Sequence, residues 1–91
     1  MFGQGSLEML YPANPHILAY LRQDTTETVL IVHNLSETVQ PVKLDLARFR
    51  EHTPLEMFGN TAFPKIDEHP YFLSLGPYGF SWFRLTRNGY A

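Results

Sequence analysis

The chain has 91 residues, which is enough for one compact domain with a single core and too few for two. Apolar residues make up 44% and charged residues 18%, a balance typical of a folded globular domain and not of intrinsic disorder. Seven Lys and Arg stand against nine Asp and Glu, and no basic run occurs, so nucleic acid and anionic membrane surfaces are excluded as partners.

Short apolar runs alternate with turn residues along the whole chain, which contains seven Pro and six Gly. This pattern favours a sandwich of short antiparallel strands with little helix. The predicted strands are 6–10, 16–23, 27–34, 40–46, 54–58, 71–75 and 80–85. A single helical turn is expected at 47–51, closed by Pro54, and the long loop before residue 71 is expected to contact the core through Phe63 and Ile66.

Two strands carry further information about their place in the sandwich. The run 29–32 is apolar on both faces, which predicts a central strand whose outer side is covered by something else. In the run 40–46, the alternation of Val42, Leu44 and Leu46 with polar residues predicts one buried face, and Pro41 predicts a sheet edge or the start of the strand.

The titratable residues do not form a recognisable catalytic or metal-binding pattern. The histidines are dispersed and lack the close spacing of a metal site: His16, His33, His52 and His69. The cluster Asp67-Glu68-His69 lies on a loop, where adjacent side chains point apart. No paired carboxylates suited to glycoside hydrolysis can be identified, so we expect no catalytic residue, no metal ligand and no cofactor in this chain.

The aromatic residues offer a binding hypothesis and a packing hypothesis. Tyr71, Tyr78 and Trp82 are the candidates for a surface that stacks against a sugar ring, with Tyr11 and Tyr20 as further exposed possibilities. A sandwich of this size also needs aromatic residues for its core or for packing against another domain. Asn34-Leu35-Ser36 matches the N-glycosylation pattern, but we interpret it as a turn at the end of a strand.

The start of the chain lacks the basic segment and apolar run of a signal peptide, and no window is long and apolar enough to span a membrane. Cysteine is absent, which excludes a disulfide framework and suits a reducing compartment. We therefore expect a cytoplasmic protein. Residues 1–5 and 87–91 are expected to be terminal tails of a single domain that covers 1–91.

Several segments resemble, in order, the C-terminal domain of bacterial trehalose synthases of the α-amylase superfamily, from about residue 3 to 86. The more specific segments are Phe-Gly-Asn-Thr-Ala-Phe-Pro from residue 58 and Leu-Gly-Pro-Tyr-Gly-Phe-Ser-Trp-Phe from residue 75. The hairpin that ends in Asn34-Leu35-Ser36 occurs more widely in the superfamily. The resemblance implies an antiparallel, Greek-key-like β-sandwich.

The same resemblance implies a parent enzyme that interconverts maltose and trehalose through a retaining mechanism in a (β/α)₈ barrel of roughly 250 residues. The barrel is absent from this chain, as are its catalytic residues, and any calcium site of the parent would lie elsewhere. The implied role is a non-catalytic domain that packs against the missing barrel or a homo-oligomer partner. The alternative is a carbohydrate-binding module that uses exposed aromatic residues.

Overall fold

A computed structural model describes residues 6–86, of which 52% are in strands and 4% in helix. The fold is therefore nearly all-β and antiparallel, as predicted. The strands are β1 (Ser6–Leu10), β2 (Ile17–Gln23), β3 (Thr28–Asn34), β4 (Gln40–Leu44), β5 (Thr53–Glu56), β6 (Thr61–Ala62), β7 (Tyr71–Leu75) and β8 (Phe80–Thr86). A short 3₁₀ helix covers Ala47–Phe49, within the predicted helical turn.

The strands form two sheets that face each other. The larger sheet has six strands in the order β1-β2-β3-β8-β5-β6, and the smaller pairs β4 with β7. The chain passes to the small sheet after β3 and again after β6, so neighbours in space are often distant in sequence. Strand β3 lies between β2 and β8, which confirms the predicted central position of the run that is apolar on both faces. Pro41 lies at an edge, since the small sheet has only two strands.

The core lies between the sheets and is built by alternation along the strands. In the small sheet, Val42 and Leu44 of β4 point inward opposite Leu73 and Tyr71 of β7. In the large sheet, the inward residues are Ile17, Ala19, Leu21, Leu30, Val32, Phe83 and Leu85. The predicted burial of Leu44 and Leu46 is confirmed. The hydrophobic effect at this interface stabilises the domain without any disulfide.

The loop between β5 and β7 differs in detail from the prediction. It contains the two-residue strand β6, which pairs with the end of β5 through Leu55 and Glu56 and was not predicted, because two residues carry no periodicity. Ile66 is fully buried and Phe63 packs against the core, as expected for this loop. The predicted strand 54–58 is replaced by Thr53–Glu56, followed by a turn.

One buried polar side chain joins the loops of both sheets. The amide nitrogen of Asn34 lies 2.8 Å from the carbonyl oxygen of Thr38, 2.9 Å from that of Gly76 and 3.2 Å from that of Leu75. Its side-chain oxygen accepts the backbone N–H of Ser36 at 2.9 Å. Strand β3 ends at Asn34 and the Ser36 bond forms a turn there, which confirms the predicted turn at the end of a strand. Asn34 is also fully buried, so its amide is inaccessible in the folded domain.

No helix among the described residues is long and apolar enough to cross a membrane. The predicted tails at 1–5 and 87–91 lie outside the described residues.

Asn34→Ala is expected to destabilise the domain by roughly 2–4 kcal/mol, because several backbone groups lose their buried partner at once. The free energy of unfolding, measured by urea denaturation, checks this expectation. Glu37→Ala in the same loop is the control, since Glu37 is exposed and its replacement should change stability by less than about 0.5 kcal/mol. Equal losses for both variants would contradict the role of Asn34.

Candidate functional site

The outer face of the six-stranded sheet presents large apolar groups from its two central strands. Ile31 and His33 of β3 pair with Trp82 and Phe80 of β8, respectively, and all four lie on this face because they alternate with inward residues. Phe58, just after β5, joins them. We call His33, Phe58, Phe80 and Trp82 the aromatic cluster.

The rings of the aromatic cluster contact one another at steep angles. Phe58 lies 5.7 Å from Phe80 and 5.8 Å from Trp82, measured between ring centroids, with interplanar angles of 88° and 56°. His33 lies 5.7 Å from Phe80 at 68°. The two pairs with Phe80 are edge-to-face, an arrangement that is favourable for aromatic rings, and the Phe58–Trp82 pair is tilted. The cluster is therefore a packed group of side chains with an uneven surface.

The cluster remains accessible to solvent although its members touch one another. The exposed fraction is 66% for Phe58, 52% for Phe80 and 38% for Trp82. Val29 and Ile31 also point outward but are buried, because longer side chains on the neighbouring strands flank them. The outer side of the run 29–32, which the sequence predicts to be covered, is therefore covered by the domain itself at Val29 and Ile31, whereas Phe80 and Trp82 leave apolar surface uncovered.

A tight turn after β5 places Phe58 over this face. The Glu56 carboxylate accepts the backbone N–H of Gly59 at 2.6 Å and that of Phe58 at 3.2 Å. The backbone N–H of Met57 donates to the carbonyl oxygen of Trp82 at 2.8 Å, which keeps the turn beside β8. Asn60 adopts a left-handed conformation with φ of 56°, which Asn tolerates better than most residues.

An ion pair borders the cluster on one side. The Arg84 side chain donates to Glu27 Oε1 at 2.9 Å, and both residues are partly buried. Arg84 is the next residue after Trp82 on the outer face of β8, so it lies where the apolar surface ends. Its positive charge is neutralised there by Glu27. This pattern, with an aromatic centre and a polar border, is typical of protein interfaces.

The three aromatic residues predicted as sugar or interface contacts lie in three different places. Trp82 belongs to the aromatic cluster. Tyr78 is exposed in the turn between β7 and β8, where it adopts a left-handed conformation with φ of 54°. Tyr71 is buried in the core and donates a hydrogen bond from its hydroxyl to the carbonyl oxygen of Pro64 at 2.6 Å. These residues therefore do not form one surface.

Of the aromatic cluster, only Trp82 is among the site residues predicted from the sequence. Phe58 is predicted in a strand, whereas the Glu56 turn redirects it across β8. His33 is predicted only as a histidine that lacks metal-site spacing. The sequence does contain one indication of this position. His33 is two residues after Ile31 in a strand, so both side chains lie on the same face of the sheet.

Burial raises the pKa of Tyr71 to about 12. The neutral phenol is favoured in the folded state because the ionised form would lose hydration inside the core.

Within residues 6–86, no group of three or more His, Asp or Glu side chains is arranged to hold a metal ion. Asp67, Glu68 and His69 are exposed on the loop before β7, and His69 Nε2 lies 3.8 Å from Glu68 Oε2. The structure thus brings an exposed aromatic cluster together and leaves these titratable residues on a separate loop.

Fold and surface together define a two-sheet β-sandwich domain with an apolar aromatic area on its larger sheet. The family model described as "Maltogenic Amylase, C-terminal domain" matches residues 7–82, and the chain belongs to this family.

Relatives with similar sequences are trehalose synthases. The chain is 46% identical over 88 residues to "Trehalose synthase/amylase TreS" of Mycobacterium tuberculosis, covering 93% of this chain and 15% of the relative. It is 44% identical over 85 residues to "Trehalose synthase" of Thermus thermophilus, covering 93% of this chain and 9% of the relative. The chain thus spans a small part of the length of these relatives.

Solved structures share the fold. An isomaltulose synthase variant from Erwinia rhapontici in complex with sucrose has a TM-score of 0.60 and 30% identity, over 90% of this chain and 14% of that one. An Anoxybacillus α-amylase has a TM-score of 0.73 at 21% identity, over 90% of this chain and 18% of that one. The second similarity concerns the fold alone.

The pKa of Tyr71 predicts how stability depends on alkaline pH. An unfolded tyrosine has a pKa of about 10, so the stability that Tyr71 contributes is complete below that pH and is lost as the pH rises towards about 12. Absorbance titration of the phenolate should show one tyrosine that ionises near pH 12. Tyr71→Phe should remove this step and flatten the alkaline decline in the free energy of unfolding. A late step that persists in Tyr71→Phe would contradict the assignment.

Proposed function

We propose that this chain is the non-catalytic C-terminal domain of a trehalose synthase, and that the outer face of its large sheet packs against the catalytic barrel of the same polypeptide. The parent enzyme would interconvert maltose and trehalose. The domain would need no cofactor for this role, since its contribution is to cover and hold the catalytic unit.

The exposed aromatic cluster is the observation that carries the proposal. Phe58, Phe80 and Trp82 form one contiguous group on the outer side of the central strands, with buried Ile31 paired in register beside Trp82. Aromatic residues are enriched and charged residues depleted in the centres of interfaces. A contiguous aromatic surface of this kind normally marks an interaction site, whereas single exposed apolar residues do not.

The catalytic barrel is the proposed occupant because of the length of chain that the relatives contain outside this region. The match covers 15% of the Mycobacterium tuberculosis relative and 9% of the Thermus thermophilus relative. A (β/α)₈ barrel needs roughly 250 residues, which the rest of either relative can accommodate. A covalently attached neighbour also has a high effective concentration, so a modest apolar surface is sufficient for docking.

Carbohydrate binding by the aromatic cluster is the second candidate, favoured by the exposed Trp82 ring. The ring angles support packing against protein instead. Rings inclined at 56° and 88° to one another present edges and steps, whereas a flat platform for successive sugar rings requires faces that are close to coplanar.

The non-catalytic role predicts that the purified chain neither converts maltose into trehalose nor releases glucose from it. The physical reason is that glycoside chemistry needs two carboxylates held on a rigid frame across a sugar cleft, and the spread of Asp and Glu along the sequence predicts no such pair. Chromatographic analysis of maltose incubated with the chain checks this. Turnover that copurifies with the protein through an additional purification step would contradict the proposal.

Phe80→Asp is expected to weaken docking of the domain in the full-length polypeptide by roughly 2 kcal/mol or more, because a charge would be buried at the centre of the interface. The measurement is the thermal transition of the domain in the full-length protein. In the isolated chain, the uncovered aromatic cluster should drive self-association, detected by sedimentation as a mass that rises with concentration, and the same substitution should reduce that rise.

Phe72→Asp is the matched control, because Phe72 is similarly exposed, at 60% against 52% for Phe80, but lies on the small sheet. It should leave docking unchanged. Equal effects of both substitutions, or none of either, would show that the aromatic cluster is not the interface.

A further inference from the structure

A second surface lies on the opposite side of the sandwich, on the outer face of the small sheet. Phe72 of β7 points outward there and pairs in register with Lys43 of β4. Its neighbours on this face are polar or small, and the ring is 60% exposed. One exposed apolar residue needs no explanation by itself, but the surface around Phe72 is concave on two sides.

Phe72 lines two adjacent clefts. The wider has a volume of about 400 Å³ and is also lined by Lys65, Asp67, His69 and Ser74. The narrower has a volume of about 210 Å³ and includes Asn14, Pro41 and Lys43. The wider lies within the range of about 300–1,000 Å³ typical of small-molecule sites. One aromatic ring is thus shared by two neighbouring depressions.

Side-chain hydrogen bonds fix the walls of both clefts. In the wider cleft, the Tyr71 hydroxyl donates to the carbonyl oxygen of Pro64 at 2.6 Å and ties the loop before β7 to its strand. In the narrower cleft, the Asn14 amide donates to Gln40 Oε1 at 2.9 Å and to the carbonyl oxygen of Pro41 at 2.7 Å. Preformed walls lower the ordering cost of binding a ligand.

The charges around Phe72 favour a neutral ligand. In the wider cleft, Lys65 Nζ lies 3.7 Å from Glu51 Oε1, and His69 Nε2 lies 3.8 Å from Glu68 Oε2. Asp67 adds a carboxylate to the wider cleft and Lys43 adds a cation to the narrower one, so neither sign of charge dominates around Phe72. An anion site would require a surplus of cations, and a nucleic-acid base is disfavoured by the net charge of −2.

We propose that Phe72 and its two clefts form a binding site for a neutral glucoside of two or more units, with one sugar ring stacked on Phe72. A sugar ring combines an apolar face with hydroxyl groups around its rim, which matches an aromatic ring surrounded by mixed donors and acceptors. Lys43, Lys65 and Ser74 supply donors, and Asp67 supplies an acceptor.

The choice of α-glucosides as ligands rests on the proposed function, whereas the site itself rests on the geometry around Phe72. Because the small sheet is on the opposite side of the sandwich from the aromatic cluster, the site stays open when the large sheet is docked. The domain would then hold substrate or product chains near the catalytic unit without taking part in the reaction.

Titration of the 91-residue chain with maltoheptaose and, separately, with trehalose tests the proposal, using ¹H–¹⁵N NMR spectra. We expect saturable shifts with a dissociation constant in the millimolar range, centred on residues 41–43, 65–69 and 72–74. Phe72→Ala should weaken binding at least about tenfold, and Phe72→Tyr should retain it.

Phe80→Ala is the control on the other sheet and should bind the sugars as the unaltered chain does. Thermal unfolding of each variant shows whether the domain remains folded. If neither sugar gives saturable shifts, or if the shifts centre on the aromatic cluster, the proposal is wrong. That result leaves the docking experiment with Phe80→Asp unaffected, so the two proposals fail independently.

Discussion

The buried amide of Asn34 is the contact on which the arrangement of the two sheets depends. It lies at the end of β3, where the chain leaves the large sheet, and it binds the carbonyl oxygens of Leu75 and Gly76, where the chain is about to return. The contact with the Leu75 carbonyl is buried, so losing its donor would carry a free-energy cost that is large for a domain of marginal stability. The backbone N–H of Asn34 also donates to the carbonyl oxygen of Gly79 at 2.8 Å. One residue therefore joins the crossing after β3 to the crossing after β7.

Both proposed surfaces follow from this two-layer arrangement. The inward residues of each sheet fill the same core, so their outward neighbours are left on opposite sides of the molecule. On the large sheet the outward residues of the central strands are aromatic, and on the small sheet a single Phe72 stands among polar groups. Several aromatic rings in contact suit the large sheet to packing against protein. A single ring among polar groups suits the small sheet to binding a small polar ligand.

The alternation of apolar and polar residues was sufficient to predict most of the fold. The central place of β3 followed from its two apolar faces, and the burial of Leu44 followed from its neighbours. The site was less predictable, because it depends on contacts between distant segments. Phe58 reaches Trp82 only through the turn that Glu56 stabilises. The sequence left Tyr71 open between a sugar-binding surface and the core, and its hydrogen bond to Pro64 and its burial depend on the fold of the loop before β7. Strand periodicity contains no information about such turns.

The position of β8 has a consequence for the synthesis of this domain. This strand is the last in the described chain, yet it lies between β3 and β5 and joins the two halves of the large sheet. On a ribosome, β1, β2 and β3 can pair with one another before β8 has emerged, but the far edge of β3 stays unpaired and β5 and β6 cannot join the sheet during that interval. Completion of the large sheet therefore waits for β8, and aggregation through the unpaired edge of β3 competes with it whenever translation slows before this strand is complete.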